Sequence, residues 1–150
     1  MERDVSLVSG SNIAKALRER GHRAVLVDLF FGYQGEYGRP EEIFTKPYDD
    51  SIAAIGDSEP DIESIKKSRK QDNDMRIGDN IIEICRAADI VFMALHGADG
   101  EDGRLQAMFD ICGVKYTGCG YLGSAISMNK ETTKKILLES GLRTPSGIIV

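Results

Sequence analysis

Two short, almost wholly apolar runs govern what this chain can build. Ala24–Phe30 reads AVLVDLF and Asp89–Leu95 reads DIVFMAL. Neither alternates polar with apolar residues, so each fits a strand covered on both faces, as strands of parallel sheets are. Each also follows a helical stripe: Val5, Val8, Ile13, Ala16 and Leu17 before the first, and Ile77, Ile81, Ile82, Ile84 and Cys85 before the second. A third stripe, Leu105, Met108, Phe109 and Cys112, leads into a short run at Val114–Thr117. Helices alternating with such runs predict an α/β fold, a parallel sheet flanked by helices. A small helix near Leu122–Met128 and a longer one from about Lys130 to Ser140 should follow. Gly21, Gly113 and Gly141 stand where three of the helices should stop.

A length of 150 residues fits one domain with a real core. The 24 acidic side chains outnumber the 19 basic ones, a net charge of −5. That balance argues against nucleic acid, because phosphate binding needs clustered Lys and Arg. The one basic cluster, Lys66 to Lys70, sits among acidic residues and fits a solvated face. No apolar run approaches the ~18 residues of a membrane-spanning helix, and the start of the chain does not have the form of a signal peptide. Three cysteines at wide spacing, Cys85, Cys112 and Cys119, suit a reducing compartment and lack the paired spacing of a zinc site.

Two features depart from a simple domain. Residues 31–76 are polar and hold Pro40, Pro47 and Pro60, a long connection of the kind that marks a functional loop or insertion. A short helix around Asp61–Arg69 is expected within it. The ends are the second feature. The chain opens on a helix with no strand before it and stops in Gly147–Val150, an apolar strand just begun, as a piece of a longer chain would.

The stretch with most chemistry is Leu95-His96-Gly97-Ala98-Asp99-Gly100-Glu101-Asp102-Gly103. It lies at the carboxyl end of the Asp89–Leu95 run, where open α/β sheets bind ligands. Glu101 and Asp102 are expected in the first turn of the next helix, where negative charge suits the dipole, with Asp102 also a plain N-cap candidate. His96 is either a histidine bonded to backbone or a substrate contact, and its place among glycines favours the contact. A calcium loop starting at Asp99 fails, because Gly103 holds the third ligand position and Arg104 stands where glycine is required. No second histidine lies near enough in sequence to complete a metal cluster with His96.

Four stretches then occur in order: Glu2-Arg3-Asp4-Val5-Ser6-Leu7-Val8-Ser9-Gly10, the His96–Gly103 loop, Tyr116-Thr117-Gly118-Cys119-Gly120, and Ser127-Met128-Asn129-Lys130 with Thr133-Lys134. Together they closely resemble the amino-terminal domain of D-alanine–D-alanine ligases, members of the ATP-grasp superfamily. The resemblance covers residues 2–30 and about 75–150. The segment between is similar to the longer insertion of some bacterial branches, including the ligases of vancomycin resistance. The resemblance implies a Rossmann-like (pre-ATP-grasp) parallel sheet flanked by helices, its first strand missing because Met1 stands directly before Glu2. It implies an amino-terminal substrate-binding domain over 1–144, with an insertion at about 31–76, and the start of an ATP-grasp domain at 145–150.

The resemblance also implies roles. Glu2 would help hold the first D-alanine, an anion facing an ammonium group, and His96 would lie near the same subsite. Lys130 would reach ATP phosphates, although Asn129 precedes it where the family usually has Asp; otherwise it is a solvated lysine at a helix start. The implied cofactors are ATP and Mg2+, the metal ligands falling beyond Val150. The implied partners are D-alanine and ATP, with a homodimer in the intact enzyme, a cytoplasmic location and a product for peptidoglycan synthesis. This stretch alone is expected to be inactive. The alternatives are a ligase forming D-alanyl-D-lactate or D-alanyl-D-serine, and a non-catalytic α/β binding module.

Overall fold

Three glycines punctuate the chain as the sequence predicts. The computed structural model describes residues 3–48 and 76–147. Its first helix, α1, spans Arg3–Glu19. There Gly21 has φ +87°, Gly21 N donates to Arg18 O and His22 N to Leu17 O, the paired bonds of a Schellman stop. The same pair recurs at Gly113, which closes α3 (Arg104–Cys112), and at Gly141, beyond α5 (Lys130–Glu139). Between them lie α2 (Ile81–Ala87) and α4 (Tyr121–Met128). Only glycine adopts that left-handed backbone without steric cost, so a local signal set these boundaries.

The face that α1 buries differs from the expected Val5/Val8 stripe. Val5 is exposed, and the buried residues are Ser6, Leu7, Gly10 and Ala14. Small residues decide this: a Cβ on Gly10 would come within 2.8 Å of the Leu26 side chain, so the helix approaches through its slimmest edge. Elsewhere the stripes hold. Ile81 and Ile84 of α2 are buried, and Leu105 and Phe109 of α3 join Val114 in a core flanked by Val91, Met93 and Leu95.

β structure among the described residues is limited to two isolated bridges. Val91 pairs in parallel with Tyr116, through Val91 N to Lys115 O and Thr117 N to Val91 O. Asp28 and Gly32 close a tight antiparallel turn. The continuous strands expected at Ala24–Phe30 and Asp89–Leu95 are not formed, and no backbone hydrogen bond among the described residues joins one run to the other. A cavity of about 220 Å³ lies against both instead, lined by Leu26, Val27, Phe92 and Ala94 and by Leu7 and Gly10 of α1. The expectation of two covered faces fails at Ile90 and Phe92, which are 58% and 50% exposed. Strands need a neighbouring backbone to satisfy their peptide groups, and Asp89–Leu95 meets one on the Val114–Thr117 side.

Of the long connection, residues 31–48 and Arg76 are described. Pro40–Thr45 forms a 3-10 helix that packs on α2 and buries Ile43. Asn80 ties the preceding loop down: its amide nitrogen donates to Tyr33 O and its amide oxygen accepts from Tyr33 N. The helix expected around Asp61–Arg69 lies outside the described residues. No helix among the described residues is long and apolar enough to cross a membrane.

Candidate functional site

His96 sits at the tip of the Asp89–Leu95 run and is held by α1. Its backbone N–H donates to Ser6 Oγ at 3.0 Å, and its Nε2 lies 3.1 Å from Ser9 Oγ. Ser6 and Ser9 are three residues apart on α1, hence on one face of the helix. That face is fixed at its start by an ion pair. Arg3 Nε donates to Asp28 Oδ2 at 2.8 Å, a second guanidinium N–H reaches the same oxygen, and the guanidinium lies 5.0 Å over the Phe31 ring. Asp28 is buried, and its other oxygen accepts from Phe30 N and Phe31 N. One carboxylate thus joins the end of the first run to the beginning of α1.

The glycine-rich loop after His96 is closed by its own side chains. Gly97 N donates to Glu101 Oε2 at 2.5 Å, and Gln106 Nε2 donates to Gly100 O at 2.7 Å. Gln106 Oε1 is buried with no hydrogen-bond partner among the described residues. Asp99 adopts φ +70° and receives both Arg76 (2.7 Å) and Arg104 (3.1 Å). Partial burial pulls the Asp99 carboxyl upward, but the two arginines prevail and hold it below its ordinary range. The expected helix start is corrected here. α3 begins at Arg104 with Gly103 as its N-cap, so Glu101 and Asp102 precede the first turn, and Asp102 accepts from Arg104 N at 3.2 Å. Packing sets the boundary: Gly103 has φ +89°, and a Cβ there would meet Tyr121 O at 2.3 Å.

Lys130 is the first residue of α5 and is exposed. Asn129 caps this helix, its Oδ1 accepting from Thr132 N at 2.9 Å, so the amide performs the capping that an Asp would. Among the described residues Lys130 has no ion-pair partner. No hydrogen bond or ion pair links it to His96 in the described structure. Glu2 lies outside the described residues. No group of three or more His, Cys, Asp or Glu side chains that could hold a metal ion is found among the described residues.

A family model described as the D-ala D-ala ligase N-terminus matches residues 1–119. The chain belongs to this family. It is 46% identical over 143 residues to a D-alanine–D-alanine ligase of Lacticaseibacillus casei, covering 95% of this chain and 40% of that protein. A ligase of the same name from Pediococcus pentosaceus is 42% identical over 144 residues, covering 95% and 41%. One from Erythrobacter litoralis is 34% identical over 149 residues, covering 99% and 32%. The chain therefore spans well under half the length of these relatives.

Within this ligase N-terminal domain, sequence reasoning singled out His96 but passed over the residues that hold it. Ser6 and Ser9 lie inside the Glu2–Gly10 stretch, yet carry no charge and no hydropathy signal. Their spacing of three on a helical stretch was the available clue.

Proposed function

We propose that this chain is the first-substrate side of an ATP-dependent D-alanine–D-alanine ligase. The observation that carries the reading is His96, held at the end of an apolar run by two serines of the helix that follows Glu2. In this reading Glu2 pairs with the ammonium of the first D-alanine, His96 orients the same molecule, and Lys130 offers a point charge to a phosphate. When bound, ATP supplies the phosphoryl group that activates the first D-alanine's carboxylate toward the amine of the second. Mg2+ would depend on donors other than the described residues, and no step of this chain's own residues runs through it. The parallel bridge at Val91–Tyr116 supports a Rossmann-like parallel sheet. The family resemblance, not the bridge, is the ground for a substrate-binding domain at 1–144 and an ATP-grasp domain beginning at 145–150. A cytoplasmic homodimer serving peptidoglycan synthesis completes the proposal.

Two measurements test it. The 150-residue chain alone should release no phosphate from ATP with magnesium and D-alanine; release above a Lys130→Ala control would contradict this. In a complete ligase carrying this domain, Glu2→Gln should raise the KM for the first D-alanine far more than that for ATP. Loss of one charge-assisted contact costs about 1.5–3 kcal/mol, roughly ten- to a hundredfold. An unchanged first-site KM would remove Glu2 from the subsite.

A further inference from the structure

His96 meets α1 at two points that do different things. Ser6 takes the backbone N–H and so fixes where the residue starts; Ser9 reaches the ring itself. The Ser9 hydroxyl has no other acceptor among the described residues, although a helical serine ordinarily turns back to the carbonyl one turn earlier. Its proton is therefore free to point at the imidazole. We propose that Ser9 is a positioning residue that donates its hydroxyl proton to His96 Nε2, so that the ring proton is held on Nδ1. The converse arrangement, with Nε2–H donating to Ser9 Oγ, would leave the hydroxyl proton unused in a half-buried site, a cost that the first arrangement avoids. Isolated imidazole can carry its neutral-state proton on either nitrogen, and the partner of one nitrogen decides which form is held. With Nε2 occupied, Nδ1–H is the ring's remaining donor, suited to an acceptor such as a carboxylate oxygen. This assignment deepens the proposed first-substrate role of His96 and rests on it for its functional consequence.

The chain has only two histidines, His22 and His96, so ring nitrogen NMR reads each one separately. The full 150-residue chain is labelled with 15N-histidine and recorded near pH 8.5, about two units above the ordinary imidazole value. His96 should show the signature of a protonated Nδ1 and an unprotonated Nε2. Ser9→Ala should shift His96 toward the Nε2–H form and leave His22 unmoved, and Ser9→Thr, which keeps the hydroxyl, should restore the original signature. A wild-type His96 in the Nε2–H form, or a signature unmoved by Ser9→Ala in a chain with unchanged helical circular dichroism, overturns the assignment. In a complete ligase carrying this domain, Ser9→Ala should raise the first-site KM about two- to tenfold, the range of one neutral hydrogen bond, and leave the ATP KM in place. A changed tautomer with an unchanged first-site KM would leave the positioning intact and contradict the first-substrate reading of His96.

Discussion

Replacing Asp28 should loosen the junction on which the site depends. Its side chain is 5% exposed and that of Arg3 24%, so the pair is poorly screened by water. Asp28→Ala removes the Arg3 contacts and also strips Phe30 N and Phe31 N of their acceptor. Breaking a buried pair costs about 3–5 kcal/mol. Arg3 can swing partly toward solvent, so the lower end, about 3 kcal/mol, is expected. Asp28→Asn keeps an oxygen for the two backbone donors and loses only the charge, so about half that loss should follow. Urea unfolding followed by circular dichroism reads both variants. With a slope of about 2 kcal/mol per molar urea, the alanine variant should lower the midpoint by about 1.5 M. A double-mutant cycle with Arg3→Ala should return a coupling of more than about 1 kcal/mol. Equal effects of Ala and Asn, each below about 0.5 kcal/mol with no coupling to Arg3, would refute the claim that this carboxylate anchors α1.

Three further outcomes follow from particular residues. Gly103→Ala should destabilise the chain by more than about 2 kcal/mol, because a left-handed φ and a backbone collision coincide there. Gly21→Ala has the same kind of φ with open space around it and should cost only about 1–2 kcal/mol, so equal losses in denaturant melts would refute the collision. Burial pushes the Cys85 thiol up to about 11, so at pH 8 a thiol-alkylating reagent should modify exposed Cys119 well before Cys85, as peptide mass spectrometry would show. Because the buried thiol keeps its proton to higher pH than the unfolded chain does, Cys85 leaves stability unaffected below about pH 9 and lowers it as pH rises toward about 11. Asn129→Ala should cost about 0.5–2 kcal/mol through the lost cap of α5, whereas Asn129→Asp should hold or add stability at that helix start; a loss of equal size in both would refute capping as its role.

What the sequence made legible was mostly local. Gly21, Gly113 and Gly141 announced their helix ends because a left-handed residue is a property of one position. The stripes of α2 and α3 were readable because Ile81, Ile84, Leu105 and Phe109 are large and recur at helical spacing. The buried face of α1 was not, since Ser6, Gly10 and Ala14 act through smallness and hydropathy gives them little weight. Asp102 failed as an N-cap for a reason far downstream in sequence, the approach of Tyr121 to Gly103. The place of His96 at the end of an apolar run was legible. Its partners were not, because contacts to Ser6 and Ser9 span about ninety residues of sequence and depend on how α1 packs.

The division of roles between His96 and Lys130 is most directly tested by steady-state kinetics of a complete ligase carrying this domain, with two substitutions compared. His96→Ala should raise the KM for the first D-alanine and leave that for ATP nearly unchanged, while Lys130→Ala should do the reverse. Each lost contact to a charged group is worth about 1.5–3 kcal/mol, roughly ten- to a hundredfold. Equal effects of both variants on both constants, or a His96→Ala enzyme with an unaltered first-site KM, would contradict the assignment of this domain to the first substrate.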